Sequence, residues 1–324
     1  MTATNALRRA AHWHRPLLMF AGLMVVTGVV SVGGLLLDDR ILVGSPIWLK
    51  PFKFSVSLSL YAVTWAWMLS LQRRPRRWVH WTATAVALLG SVEMVVIVGQ
   101  VIRGKISHFN AATAFDATLF AVMGVSIVVL WVLNLLQAIV LMRERLAEKP
   151  TAWAIKLGTV VSLAGMAIAF LMPQPTPDQL AAMRNGAPVS AIGAHSVGVP
   201  DGGPGMPITG WSLTGGDLRI PHFVGIHALQ ALPLLAMGLL AAARRWPRLR
   251  DEAVRVRVVL IGAGAYAGLL ALTAWQALRG QPLLSPDSWT LGALGLIVIG
   301  AAAGIRIALS RQPRAAERGV EVAV

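Results

Sequence analysis

Residues 217–233, DLRIPHFVGIHALQALP, open a hydrophobic segment that places two histidines and a glutamine among apolar side chains. Polar groups inside such a segment are costly in lipid, and they mark a site, a pathway or a specific helix contact. His227 and Gln230 are three residues apart and share a helix face, whereas His222 lies about 140° round an ideal helix from His227. Because Pro233 lacks a backbone donor, we expect it to kink this membrane helix beside Gln230.

The composition of the whole chain is that of an integral membrane protein. Of 324 residues, 56% are hydrophobic and 13% are charged, and the mean hydropathy is +0.65. We expect one all-α transmembrane domain over residues 16–309, with a cytoplasmic tail at 1–15 and another at 310–324. The first apolar run is too long for a signal-peptide core and should remain as an anchor. Eight runs are long enough to cross a bilayer, which takes roughly 20 residues: 16–37, 54–72, 81–102, 116–142, 153–172, 222–243, 256–278 and 289–309.

The net charge of +15 is distributed as a membrane protein requires. With both termini on the cytoplasmic side, 21 of the 29 Lys and Arg residues fall on that side, which is the positive-inside bias. The basic runs therefore face a lipid bilayer surface, and we expect no nucleic-acid partner. The sequence contains no cysteine, which excludes thiolate metal sites and c-type haem and leaves His, Asp, Glu and Met as candidate ligands.

The long connection 173–221 contains eight Pro and nine Gly, which argues against a folded domain. Within it, residues 176–185 are predicted to form a short helix with Thr176 as its N-cap. We expect Leu180 and Met183 to face the membrane domain. The segment is interpreted either as a lid over the outer mouth or as a surface loop packed on the helix ends.

Two halves of the chain carry matching segments in the same order, which favours an internal duplication. We expect a parallel 4+4 repeat, two four-helix units related by an axis along the membrane normal, although membrane proteins can match in this way by chance. Aspartates are expected to begin the span after each matching QxxRG. The matches are LKPFKF (49–54) with LRIPHF (218–223), QVIRG (100–104) with QALRG (276–280), and Asp116 with Asp287.

If the halves meet in this way, their unmatched polar residues form one site in the outer half of the membrane. Glu93 and His227 are the candidate catalytic residues, and His108, His222 and His227 are candidate cofactor ligands. The same three histidines with Glu93 are the candidate metal ligands. The residues expected to contact substrate or to form the rim are Lys50, Lys53, Gln100, Arg103, Arg219 and Gln230.

Several functions fit this cluster. A divalent metal held by Glu93 and the histidines could activate a water for attack on an ester or amide. Haem b could use the histidines as axial ligands, with nearby basic residues pairing with its propionates. Our leading hypothesis is a metal- or haem-dependent membrane enzyme or redox protein. The alternative is a cofactor-free transporter or binding protein for an anionic lipid-like molecule, since Lys and Arg bind phosphate without a metal. Helix capping and packing could also account for the histidines.

Three segments, WLKPFKF (48–54), SHFN (107–110) and PHFVGIHALQ (221–230), resemble those of an uncharacterised family of multi-pass bacterial membrane proteins. The resemblance covers residues 48–279. It implies a location in the bacterial cytoplasmic (inner) membrane and no particular activity.

Overall fold

The computed structural model describes residues 13–310 except 75, 145 and 147. Residues 1–12 and 311–324, which make up most of the two predicted tails, lie outside the described part. The described residues form ten α-helices, two short 3-10 helices and two hairpins of two-residue strands. The structure is 71% helical and its fold is all-α.

The helices follow the predicted apolar runs closely. The 3-10 turns are Ala169–Leu171 and Pro247–Arg250, and the antiparallel hairpins pair β1 (Ile41–Leu42) with β2 (Ser45–Pro46) and β3 (Ser196–Val197) with β4 (Gly216–Asp217). The helices are α1 (Arg15–Leu37), α2 (Leu49–Ser70), α3 (Arg77–Ile102), α4 (Ala114–Arg143), α5 (Lys149–Ile168), α6 (Pro177–Arg184), α7 (Arg219–Ile226), α8 (Ala228–Ala242), α9 (Glu252–Leu278) and α10 (Ser288–Ser310).

Six of the described helices are long and apolar enough to cross a membrane, namely α1, α3, α4, α5 with its 3-10 turn, α9 and α10. Helices α7 and α8 form a seventh candidate if the bent pair is one span. The chain is therefore a multi-pass membrane protein. Helix α2 has 22 residues, but Lys50, Lys53 and several serines lower its mean hydropathy, so it is not among the apolar helices. Its transmembrane position, and with it the count of eight spans, stays a prediction.

The bent span breaks at His227, where α7 ends and α8 begins with a change of direction of 41°. The predicted bend of this helix is present, but it lies at His227, three residues before Gln230, and Pro233 lies inside α8. Neighbouring helices satisfy carbonyl groups of the last turn of α7. Ser162 of α5 donates to the Ile226 carbonyl at 3.2 Å, and Tyr266 of α9 donates to the Val224 carbonyl at 2.7 Å. These donors stabilise the break, because they hydrogen-bond to backbone carbonyl groups that the broken helix cannot satisfy by itself.

Helices α3 and α9 end in the same way. Each is followed by a glycine with positive φ, +68° at Gly104 and +70° at Gly280, which is the conformation of a glycine C-cap. The backbone N–H of the residue after each glycine donates to a carbonyl five residues earlier. The acceptors are the carbonyl of Gln100 at 2.9 Å and that of Gln276 at 3.2 Å. The two QxxRG segments thus form equivalent caps.

The bundle has two distinct ends. One end, called here the loop end, carries the connections 38–48, 103–113, 169–218 and 279–287; the other, the arginine end, carries 71–76, 144–148 and 243–251. The loop-end connections touch one another: the turn at Gly44 lies against Gly202, and Phe109 stacks on His195 with 4.8 Å between ring centroids.

Helix α6 occupies the predicted position, with a capping box formed by Thr176 and Gln179. The inward orientation of Leu180 and Met183 was wrong, since they are 40% and 47% exposed. The helix is held instead by polar bonds, because the Gln179 side chain accepts from the Gly193 N–H at 2.9 Å and donates to its carbonyl at 3.1 Å. Its role as a lid stays a prediction.

Candidate functional site

Three basic side chains predicted for the rim come together at the loop end. Lys50 and Lys53 lie in the first turn of α2, three residues apart and therefore on one face. Arg219 is the first residue of α7. Lys50 lies within the electrostatic reach of both other cations, and of Glu93 and Asp201. The starts of the two matched segments thus place three positive charges in one region.

Two of these cations hold the long loop in place. Arg219 binds the fully buried Asp217 through two guanidinium nitrogens, at 2.9 and 2.6 Å. It also donates to the Gly210 carbonyl at 2.7 Å. Lys53 Nζ donates to the Thr209 carbonyl at 2.6 Å. These bonds fix residues 209–217 over the starts of α2 and α7.

Lys50 differs from its two neighbours. No hydrogen bond or ion pair joins its Nζ to any other residue that the structure describes, and Nζ lies 5.9 Å from the centroid of the Phe54 ring. The side chain is half-buried. A buried ammonium normally has a partner with which to share its charge. Lys50 is therefore a cation with unused capacity to bind.

Glu93 lies deeper, on the buried face of α3, and its residue is only 3% exposed. Neither carboxyl oxygen has a hydrogen-bond partner among the described residues. Lys50 is the charge that acts on Glu93, yet the two side chains do not form an ion pair. An ionised carboxylate without a donor is costly in such a place. The pair of Lys50 and Glu93 thus offers two unused groups of opposite charge.

Gln100 and Arg103 are engaged in a structural network. Arg103 donates to Asp116 and to Gln100, both at 2.6 Å, and Gln100 donates to Asp116 at 2.9 Å. Thr113 is the N-cap of α4 and Asp116 is its third residue, so the expectation that Asp116 begins the span is corrected by two positions. In the second half Arg279 pairs with Asp287. These groups close helix ends and leave little capacity for a ligand.

His222 is positioned by a close helix crossing. The backbones of α5 and α7 touch at Gly165 and Gly225, where a Cβ on either residue would collide with the opposite backbone. His222 Nδ1 lies 2.9 Å from the Gly165 carbonyl. Because a carbonyl only accepts, Nδ1 must carry the proton, and Nε2 is left as an acceptor.

His227 and Gln230 share a face as predicted. His227 Nδ1 lies 3.2 Å from Gln230 Oε1, and Gln230 Nε2 donates to Thr64 Oγ1 of α2 at 3.1 Å. The helix break is thereby joined to α2. Asn134 and Gln137 of α4 make similar contacts, to Tyr61 of α2 at 2.6 Å and to Thr82 of α3 at 3.4 Å.

His108 lies in the connection between α3 and α4, among aromatic rings. The centroids of Phe54 and Phe120 are 5.9 and 6.3 Å from its own, and Ser107 Oγ is 3.1 Å from Nδ1. Burial holds the pKa of His108 well below its ordinary value, and the charge of Lys50 adds to this effect. The imidazole is therefore neutral near pH 7.

Sequence analysis missed a histidine–aspartate pair in the long loop. His195 Nδ1 lies 2.8 Å from Asp201 Oδ2, and Asp201 also accepts the backbone N–H of His195 and of Ser196. Burial lowers the pKa of His195, and this outweighs the opposing hydrogen bond to Asp201. Burial alone would raise the pKa of Asp201, but the bonds from His195 and Ser196 hold it below its ordinary range. The signal available in the sequence was a His and an Asp six residues apart in a Pro- and Gly-rich loop.

A metal centre finds no support here. Among residues 13–310, apart from the three that are not described, no three His, Asp or Glu side chains lie close enough to hold a metal ion. The predicted ligands Glu93, His108, His222 and His227 do not form such a group. His222 and His227 each use one ring nitrogen in a bond within the bundle.

No family model, curated protein or solved structure matches this chain. The family resemblance of residues 48–279 therefore stays a prediction.

Proposed function

We propose that this protein binds an anionic lipid-like molecule at its loop end, for transport or modification, without a resident cofactor. The observation that carries the proposal is Lys50, a half-buried cation with no bonded partner among the described residues, flanked by Lys53 and Arg219. Arg219 is paired with Asp217 and Lys53 donates to a carbonyl, so Lys50 is the cation of the three that has no bonded acceptor among the described residues. A phosphate group can supply that acceptor, because it accepts charge-assisted hydrogen bonds from an ammonium.

The long loop supports the same proposal. Lys53 and Arg219 bind carbonyl groups of residues 209 and 210, so they hold the loop while Lys50 stays available. Lys50 is only partly buried, which leaves a route for a head group, and exposed apolar residues of the neighbouring helices would face acyl chains. Candidate enzyme chemistry has less support, because the predicted metal ligands are not grouped.

The finer topology belongs to the proposal as well. We place both termini and the arginine end on the cytoplasmic side, and the loop end outside, in the cytoplasmic membrane of a bacterium. We also propose eight spans arranged as two four-helix repeats. The equivalent caps after Gln100 and Gln276, and the matching ion pairs of Arg103 and Arg279, support the repeat. The helical form of all 22 residues of α2 supports its assignment as a span.

The test is calorimetric titration of the detergent-purified protein with short-chain phosphatidylglycerol, and with short-chain phosphatidylcholine for comparison. We expect Lys50→Met to weaken phosphatidylglycerol binding by about tenfold or more, since a hydrogen bond to a charged group contributes about 1.5–3 kcal/mol. The matched control is Lys105→Met, which removes the same charge from an exposed position at the same end and should change the affinity less than about twofold.

Equal binding by the wild type and Lys50→Met, or no binding of phosphatidylglycerol, would overturn the proposal. A stoichiometric haem or metal in the purified protein would contradict its cofactor-free form and return attention to the histidines.

A further inference from the structure

We infer that Glu93 is a proton-binding site coupled to the anion site at Lys50, so that each anion enters with a proton. The inference rests on the proposed function and names a second ligand for the same site. It starts from a geometric fact: Glu93 is 3% exposed, and neither of its oxygens has a hydrogen-bond partner among the described residues.

The surroundings of Glu93 leave Lys50 as its source of charge compensation. Helix α3 packs against α1, α2 and α4. Between its ends α1 has no ionisable residue. On α4, Asp116 is bound to Gln100 and Arg103 toward the loop end. The ionisable residues of α2 are Lys50, Lys53 and Tyr61; Lys53 is bound to the loop, and Tyr61 to Asn134.

The charges around Lys50 add up to a neutral site when Glu93 is ionised. When both lysines are protonated, Lys50, Lys53 and Arg219 carry three positive charges, and these act on one another together with the negative charges of ionised Glu93, Asp201 and Asp217. Asp217 and Asp201 are fixed by the bonds that hold Arg219 and the loop backbone. A monoanion added to this group leaves one unbalanced negative charge. Glu93 is the acid without bonds to keep it ionised, so it is the group that takes up the proton.

Anion binding therefore acts on Glu93 through Lys50. A phosphate that pairs with Lys50 removes the positive charge that stabilises the Glu93 carboxylate, and a buried carboxylate without an opposite charge favours its protonated form. In the step itself, the buffer acid gives up one proton and is left as its conjugate base, that proton forms an O–H bond on a Glu93 oxygen, and the anion joins Lys50 without any change of its own bonds. By linkage, a proton on Glu93 strengthens anion binding by the same factor.

The proton also has an effect on transport. A site that carries an anion and a proton together moves no net charge when it closes to one side of the membrane and opens to the other. The bilayer opposes movement of an isolated charge by several kcal/mol, and pairing removes this barrier. The neutral Glu93 form is therefore the one able to carry a monoanion across the membrane interior.

The test measures proton uptake during the phosphatidylglycerol titration, by calorimetry in two buffers of different ionisation enthalpy, at each pH from 5 to 9. The phosphodiester of this probe does not titrate in that range. We expect the wild type to take up as much as one proton per anion, with affinity falling as pH rises. Glu93→Gln should still bind the anion, take up no proton and lose that pH dependence. Glu93→Met, which removes all polarity, should behave like Glu93→Gln if both fold.

His108→Gln and His195→Gln are the controls for the two histidines on which the charge of Lys50 acts, and both should leave the uptake unchanged. Uptake by Glu93→Gln equal to that of the wild type, or binding by the wild type with no proton uptake at any pH, overturns the proton coupling while the anion site stands. Absence of anion binding overturns the proposed function itself. Loss of uptake in His195→Gln alone would assign the proton to the loop and refute the role of Glu93.

Discussion

The crossing of α5 and α7 at Gly165 and Gly225 provides a quantitative test of the structure. Their backbones touch, so a Cβ at either position would collide with the opposite chain. Forcing a methyl group into a packed contact costs about 1–3 kcal/mol, and displacement of the His222 bond to the Gly165 carbonyl costs about 1 kcal/mol more. Alanine recovers about 0.5–1 kcal/mol of helix propensity. The expected net loss for Gly165→Ala or Gly225→Ala is about 1–3 kcal/mol.

At about 2–4 °C per kcal/mol, this loss lowers the apparent melting temperature by about 2–12 °C. The assay is thermal unfolding of each purified variant in one detergent at one scan rate. Gly264→Ala is the matched control, because a Cβ there meets nothing within 4 Å and the variant should melt at or above the wild-type temperature. If Gly165→Ala and Gly225→Ala melt together with Gly264→Ala, the close crossing of α5 and α7 is refuted.

Two further predictions concern the loop end. The pKa of His195 is lowered in the folded protein, so its contribution to stability is complete above the unfolded pKa of about 6.5 and falls as the pH decreases below that value. Thermal unfolding at pH 7.5 and at pH 5.5 should show a lower melting temperature at pH 5.5. If the His195→Gln variant shows an equally large decrease, the role of His195 is contradicted. Single cysteines at two exposed positions, Lys105→Cys and Arg244→Cys, test the topology in this cysteine-free chain. A membrane-impermeant maleimide should label the first in intact spheroplasts and the second only in inverted vesicles, and the reverse pattern would invert the proposed orientation.

The helices were predictable because hydropathy is a local property of the chain. Each of the eight apolar runs is helical over most of its length, and the bounds of α1 and α10 agree with the prediction within one residue at each end. The break in the seventh candidate span was misplaced because its cause is not local. Ser162 and Tyr266 lie 64 and 42 residues from the carbonyls to which they donate. The local sequence contains the proline but gives no indication of these distant donors.

The residue types of the candidate site could be predicted from the sequence, whereas the hydrogen-bond partners of those residues were harder to predict. Lys50 and Glu93 were identified because charges are rare near or within apolar segments. His222 was predicted to be a ligand because its partner, the Gly165 carbonyl, is a backbone group with no signature in a sequence. His195 was overlooked for a related reason: its burial comes from Phe109 and the folded loop, whereas its sequence neighbours resemble an open linker.

The contact between Gly44 and Gly202 has a consequence for the order of assembly during synthesis. Chains emerge from the ribosome N-terminus first, and their units fold in that order. Lys50 and Glu93 are inserted with the first helices, whereas Asp201, Asp217 and Arg219 are made more than 100 residues later. In the proposed orientation, the first half holds its lysines without the loop that covers them until residues 193–219 have crossed the membrane and settled on the turn at Gly44. If the proposed orientation and function hold, the anion-binding end is completed late in synthesis, by a polar segment that is translocated after the helices beneath it have entered the bilayer.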